Sequence, residues 1–373
     1  MRLTIDARMV RSSGIGVYLQ NLLVNPLLQK YQIKLLCLEK DIEYLQSINV
    51  NAFQFVIFEK KIYSLEELLT APFKTFNTEL FWSPHYNVPL VNFSAKKIVT
   101  VHDVFHLAFY NSLNFKQKVY SKLMIDRAVN YSNLIFTVSN FSKTEIIKYS
   151  SCDPDKIKVV YNGVDHKRFS KKYLEIEKQE ILDRYLLNGP YFLFVGNVKP
   201  HKNLKKALLG FKEFIYSAGN QYCHFKFLIV GKRDGFITGD NEINVMLQES
   251  FYKGKVNFTG WVQDEDLALL YQQASVFIFP SIYEGFGFPP LEAMAAGCPV
   301  ISSNAACLTE VYEDAALYFN PCDPVAIGEA LWKVTDDSRL KENLIKKGLE
   351  QSKKYKWEDA IRQKLVHIEE YLK

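Results

Sequence analysis

"SVFIFPSIYEGFGFPPLEAMAAGCPVISSN", residues 275–304, runs from one apolar strand pattern to another through a glycine loop and a short helix. SVFIFPS and CPVISSN are β-rich runs bounded by turn residues. Pro289 and Pro290 suit the first turn of a helix, where a missing N–H costs nothing. Gly297 sits where a helix C-terminus favours glycine. Strand, helix and strand in that order make a parallel pair with a crossover.

The same alternation extends in both directions. Toward the N-terminus, "RLTIDARM" reads as a strand, "SSGIGVY" as a glycine turn and "LQNLLVNPLLQK" as a helix. "YQIKLLCL", "AFQFVIF", "LFWSPH", "KIVTVHD", "NLIFTVS" and "IKVVYNG" supply further strands. Residues 166–189 are charged and lack a strand signal, so they read as a linker with a helix. The pattern then restarts with "PYFLFVGNV", "HFKFLIVGKRDG" and "VNFTGWV", interspersed with helices. The expectation is an α/β chain of two tandem, doubly wound, Rossmann-like domains facing a cleft. The first covers residues 1–170 and the second 171–356. A terminal amphipathic helix, 357–373, places Trp357, Ile361, Leu365, Ile368 and Leu372 on one face and packs back onto the first domain.

Bulk composition agrees with a globular protein. The 373 residues are 48% hydrophobic and 23% charged, enough for two cores. The net charge of +5 is uneven, with +7 on residues 1–186 and −2 on 187–373. A basic first half suits an anionic ligand or surface, although a solvated face would look the same. The six cysteines, at 37, 152, 223, 298, 307 and 322, form no C-x-x-C pair or zinc spacing. Scattered thiols and an N-terminus that enters a strand directly imply a cytoplasmic setting.

Within the opening stretch, Glu284 and Glu292 flank the glycine loop. The amides of Phe286, Gly287 and Phe288 should point outward at the helix N-terminus, an arrangement that binds anions and hydroxyls. Two carboxylates beside such a site would repel a phosphate unless they face neutral hydroxyl pairs. A ligand with a sugar, a charged middle and a ribose fits. The plainer reading has Glu292 capping the helix from its first turn and Glu284 on a solvated loop.

The stretch resembles the E-x7-E signature of the retaining family-4 glycosyltransferases, which have the two-domain GT-B fold. "IDARMVRSSGIGVY", "TVSNFSKTEI", "VYNGVD", "VGNVKPHKN" and "EVYEDAALYFNPCDP" fall in that family's order. The resemblance covers nearly the whole chain, is strongest from Val195 to Pro324, and is closest to mannosyltransferase-like members that build bacterial surface polysaccharides. It implies transfer of a hexose, with GDP-mannose the first candidate donor, to a glycan or lipid-linked glycan. No metal cofactor is implied. Neither is a nucleic-acid partner.

By that resemblance Glu284 contacts donor-sugar hydroxyls together with Phe286, Gly287 and Phe288. Glu292 holds the ribose and Lys202 meets the diphosphate. Gly16 lets the first domain's backbone approach the diphosphate, Val262 lines the base, and His102 projects toward the transferred sugar. Many members carry arginine where this chain has Asn197, which leaves Lys202 as the clearer cation. An epimerase on the same fold, or a non-catalytic sugar-binding subunit, are the alternatives.

Three near-motifs are weaker. His102-Asp103-Val104-Phe105-His106 resembles H-E-x-x-H but follows a strand, where its histidines would not share a helix face. Asp264-Glu265-Asp266 matches D-x-D but opens a helix, with Asp264 expected as its cap. "GIGVYL" has Leu19 where a dinucleotide fingerprint needs glycine. Lys116, Lys118, Lys122 and Arg127 lie in a segment that also carries Phe115, Val119 and Leu123 at helical spacing. It reads either as a solvated helix face or as a surface for peripheral membrane association.

Overall fold

The computed structural model describes residues 1–48, 53–74, 77–91, 93–110, 114–231 and 241–372. It divides into two compact units, Met1–Gly163 with Lys356–Lys373, and Val164–Tyr355.

The first unit carries seven parallel strands: β1 Arg2–Asp6, β2 Gln32–Cys37, β3 Phe53–Ile57, β4 Leu80–Ser83, β5 Lys96–Thr100, β6 Leu134–Thr137 and β7 Ile157–Val159. Their spatial order is β3-β2-β1-β4-β5-β6-β7. The second unit carries β8 Tyr191–Val195, β9 Lys226–Val230, β10 Val256–Gly260, β11 Val276–Phe279, β12 Val300–Ser303 and β13 Leu317–Phe319. Their order is β10-β9-β8-β11-β12-β13, again all parallel. In each sheet the chain first winds outward one way, then returns to the middle and winds the other way. The reversal falls between β1 and β4 in the first unit and between β8 and β11 in the second. Ligands of open parallel sheets bind beyond the carboxyl ends of the strands at such a reversal.

Strands β4, β6, β11 and β12 are buried at every residue. That explains their continuous apolar runs, since helices cover both faces of the sheet. The terminal helix Trp357–Leu372 inserts Ala360, Ile361, Leu365 and Ile368 into the core around Leu3, Ile5, Trp82 and Phe136. Trp357 and Leu372 are partly buried at its ends. The second core is rich in phenylalanine, with Phe192, Phe194, Phe211, Phe214 and Phe227 all buried.

Some local expectations change. The "SSGIGVY" stretch is not a separate turn, because the helix Ser13–Leu23 already begins at Ser13. This helix ends before Pro26, which opens the short 3-10 turn Pro26–Lys30 instead of continuing the helix. Gln263, not Asp264, caps the helix Asp264–Gln273. Asp264 is its first residue and pairs with Arg168 at 3.0 Å. In "HFKFLIVGKRDG" the strand and Gly231 are described, while Lys232–Gly235 lie outside the described residues. Among the described residues no helix is long and apolar enough to cross a membrane.

Candidate active site

The second unit brings two of the anticipated residues together at its reversal point. β8 ends at Val195 and leads through Asn197 into the short turn Pro200–Lys202. β11 ends at Phe279 and leads into the glycine loop. Lys202 Nζ lies 2.5 Å from Glu284 Oε1, with side chains only 18% and 14% exposed. The two loops are fastened by backbone as well. The Ile282 amide donates to the His201 carbonyl at 2.9 Å. Asn203 takes a left-handed conformation, and its amide group donates to the carbonyls of Pro280 and Pro321. A lysine and a glutamate held this way form one preorganised ion pair. The charged head of Lys202 also lies 5.4 Å from the centre of the Phe279 ring.

Gly287 shows why this loop needs glycine. Its φ of +83° is in the left-handed region, and a Cβ there would meet the Tyr312 hydroxyl at 2.1 Å. That hydroxyl donates to the Gly287 carbonyl at 2.8 Å. The helix Phe288–Ala295 starts immediately afterwards, with Gly287 at its cap. Among the described residues none accepts a hydrogen bond from the Phe286 or Gly287 amide. The Phe286 ring is buried against Phe288 and Tyr355.

Glu292 is the fifth residue of this helix, one position beyond its first turn, so it does not cap the helix, whose N-cap is Gly287. Its Oε2 accepts a hydrogen bond from the Tyr271 hydroxyl at 2.9 Å. Burial raises its carboxyl above the usual range, and the Tyr271 bond and the Arg168 charge pull the other way. Val262 is buried two residues past β10, and its neighbour Trp261 is exposed. Asn197 is partly buried just past β8.

In the first unit His102 lies just past β5 and is partly buried. Its Nε2 is 2.8 Å from the Pro84 carbonyl oxygen. A carbonyl only accepts, so Nε2 carries the hydrogen. Burial brings the imidazole down to about 4, with the Pro84 carbonyl opposing and Lys364 adding to the fall. His102 is therefore neutral near pH 7, suited to orientation more than to delivering a proton. Lys364, on the terminal helix, is fully buried and stands over the Tyr18 ring, which meets His102 edge-on at 5.0 Å.

Gly16 is buried inside the helix Ser13–Leu23. A Cβ there would meet the Val10 carbonyl oxygen at 2.7 Å, so this glycine is already required by the chain's own packing.

Several polar groups around these residues carried no separate signal in the sequence. Asp6 at the end of β1, Arg8 just past it, Glu67 on the helix Leu65–Lys74 and Asn87 past β4 form a buried network. Arg8 Nε donates to Asp6 Oδ1 at 2.8 Å and Arg8 Nη2 to Glu67 Oε1 at 2.6 Å. Asn87 Nδ2 donates to the same Glu67 oxygen at 2.6 Å. Burial would raise the Asp6 carboxyl, but the Arg8 guanidinium holds it below its usual range. For Glu67 burial wins and the carboxyl is raised. Tyr271 also escaped notice, since in "DLALLYQQA" it reads as part of an apolar helix face.

Residues 177–351 match the family described as glycosyl transferases group 1, and residues 13–168 match glycosyltransferase family 4. The chain is 30% identical over 291 residues to O-antigen chain mannosyltransferase B of Escherichia coli, spanning 76% of this chain and 72% of that one. It belongs to the family-4 glycosyltransferases. A second relative of this transferase, O-antigen chain mannosyltransferase RfbU of Salmonella typhimurium, is 34% identical over 262 residues, 70% of this chain and 66% of that one. The sucrose-phosphate synthase of Thermosynechococcus elongatus superposes with a TM-score of 0.78 at 18% identity, covering 100% of this chain and 98% of that one. The two parallel sheets are accordingly those of the GT-B fold.

Proposed function

We propose that this glycosyltransferase moves mannose from GDP-mannose to a hydroxyl of a glycan or lipid-linked glycan, retaining the anomeric configuration without a metal. The relatives' names support mannose, and they favour transfer over epimerisation or mere sugar binding. The observation that carries the donor site is the Lys202–Glu284 ion pair at the reversal between β8 and β11.

As the sugar–phosphate bond breaks, negative charge grows on the departing diphosphate. Lys202 and the amides of Phe286, Gly287 and Phe288 stabilise it, and Asn197 lines the same loop. Glu284 anchors Lys202 and accepts hydrogen bonds from sugar hydroxyls. Glu292, steadied by Tyr271, accepts from the ribose diol, and Val262 borders the base. The acceptor hydroxyl attacks the anomeric carbon from the face the diphosphate leaves. A departing phosphate oxygen takes the hydroxyl proton, so no enzyme carboxylate forms a covalent intermediate. Neutral His102 serves orientation and not proton delivery.

A site of this kind stabilises the leaving charge as an oxyanion hole does, and removal of one donor costs about 10²–10³ in rate. Lys202→Ala should lower kcat by that factor, read as GDP released from GDP-mannose in the presence of EDTA. Full activity of Lys202→Ala would remove it from the reaction. A requirement for added divalent metal would overturn the metal-free scheme.

The helix Phe115–Tyr131 supports a peripheral membrane contact at the cytoplasmic face. Phe115, Val119 and Leu123 are 81%, 50% and 52% exposed at a spacing of four, with Lys116 and Lys122 exposed alongside. An exposed apolar stripe with lysines at its edge fits anionic lipid headgroups.

A further inference from the structure

The reversal point of the first unit carries a feature with no part in the donor chemistry. Beyond the carboxyl ends of β3 and β4 lie Tyr63, His85 and Tyr86, joined by Tyr120 from the helix Phe115–Tyr131. The Tyr63 and Tyr86 rings are 6.5 Å apart and inclined by only 30°. His85 stands edge-on to both, at 5.6 and 5.5 Å, and Tyr120 stands edge-on to Tyr63 at 6.1 Å. His106 extends the group, 6.3 Å from Tyr86.

We propose that this aromatic group, with Tyr63 as its exposed face, holds an uncharged pyranose ring of the acceptor. The inference deepens the proposed function and rests on it.

Tyr63 is 45% exposed, unlike a core tyrosine. Its φ is +71°, a left-handed conformation that a residue with a Cβ rarely adopts. The strain is held in place. The Tyr63 amide donates to Glu67 Oε2 at 2.7 Å, and Glu67 is itself gripped by Arg8 and Asn87. Asn87 Oδ1 accepts from the Tyr120 hydroxyl at 2.9 Å. One buried network thus fixes the Tyr63 backbone and the Tyr120 ring together. That is how a scaffold sets a ring surface for a ligand, with rotamers locked from behind.

The chemistry selects the ligand class. A pyranose presents C–H groups on one face and hydroxyls around its rim. Tyrosine rings offer an apolar face with a polar tip for such a molecule. Tyr63, exposed at its ring, offers its hydroxyl to the sugar rim, with the partly buried Tyr86 ring behind it. The network behind them contains Asp6 and Glu67 against the single cation Arg8. That excess of negative charge disfavours a phosphate or other anionic ligand. A lipid tail would leave the phenol hydroxyls unused.

Saturation-transfer NMR with methyl α-D-mannopyranoside, methyl α-D-glucopyranoside and N-acetylglucosamine tests the assignment on the full chain. At least one probe should show transfer that falls at least fivefold in Tyr63→Ala and Tyr86→Ala, and that falls less in Tyr63→Phe, which keeps the ring face and loses only the hydroxyl. Glu284→Gln, altered only on the donor side, should keep the signal. Tyr63→Gly removes the ring but relieves the positive φ, so it should melt no lower than wild type while losing the same signal. Unchanged transfer in both alanine variants, or no transfer from any probe, overturns the inference. GDP titration of the same variants separates this from the donor reading. Loss of sugar binding with intact GDP binding supports both, and sugar binding without GDP binding removes only the donor reading.

Discussion

Glu292 carries a carboxyl against the Tyr271 hydroxyl in a buried setting. Burial holds its carboxyl above the ordinary carboxylate range. A carboxyl raised in the folded state binds its proton more tightly there than in the unfolded chain. Folding is therefore penalised once pH exceeds that raised value, and the penalty fades as pH falls through it toward 4.5. Glu292→Gln removes the charge and keeps the shape and the acceptor for Tyr271. We expect the variant to resist urea better than wild type at pH 7. Its affinity for a nucleoside diphosphate should fall about 10–100-fold, the worth of a hydrogen bond to a charged group. Equal stability at pH 7 would contradict the burial argument, and unchanged affinity would contradict the ribose role.

At the same scale, the pairing of Glu284 with Lys202 could not be read from the chain. The two residues are 82 positions apart and meet only because β8 and β11 are neighbours. The sequence marks each residue by its glycine loop but carries no signal for which loop lies beside which. The Tyr63 conformation was equally hidden, because nothing local favours a left-handed tyrosine there.

At the scale of elements, much was legible where a pattern is local. The strand runs, the proline pair at the start of Phe288–Ala295 and the apolar face of the terminal helix all follow from nearest-neighbour chemistry. Boundaries set by competition were not. The helix Ser13–Leu23 absorbs Gly16 because close packing on the Val10 backbone leaves no room for a Cβ there, which outweighs the poor helix propensity of glycine. For the helix Phe115–Tyr131 the sequence left two readings, a solvated face and a lipid-facing one, and the exposure of Phe115, Val119 and Leu123 is compatible with both. The chain should sediment with phosphatidylglycerol vesicles and not with phosphatidylcholine vesicles. Phe115→Asp with Leu123→Asp should abolish that. Equal binding to both vesicle types, or retention by the double variant, would leave the stripe an ordinary surface.

For the whole molecule, the two units should respond differently to acid. The first contains His85 and His102, each brought down to about 4 by burial. Between pH 6.5 and about 4 the unfolded chain takes up protons that these folded imidazoles refuse. Stability is therefore lost as pH falls through that window, on the order of 3 kcal/mol for each histidine. Glu67, raised by burial, offsets part of the loss. Asp6 adds to it only below 3.8, as pH falls toward its lowered value. Urea unfolding followed at pH 7 and pH 5 should show the first unit weakening, with the loss reduced in His85→Phe. A first unit equally stable at both pH values would contradict the burial of the two imidazoles as neutral groups.

The tandem architecture itself was readable because strand–glycine–helix units recur along the chain, and the same repetition puts a reversal point in each sheet. The most direct test of the account addresses the reversal point in the second unit. Calorimetric titration of the full chain with GDP, UDP, dTDP and ADP, without added metal, should show one nucleotide binding well above the others, GDP by this account, and Glu292→Ala should weaken it at least tenfold. If no nucleoside diphosphate binds, or if Glu292→Ala binds as tightly as wild type, then Glu284, Glu292 and Lys202 do not form a nucleotide-sugar site.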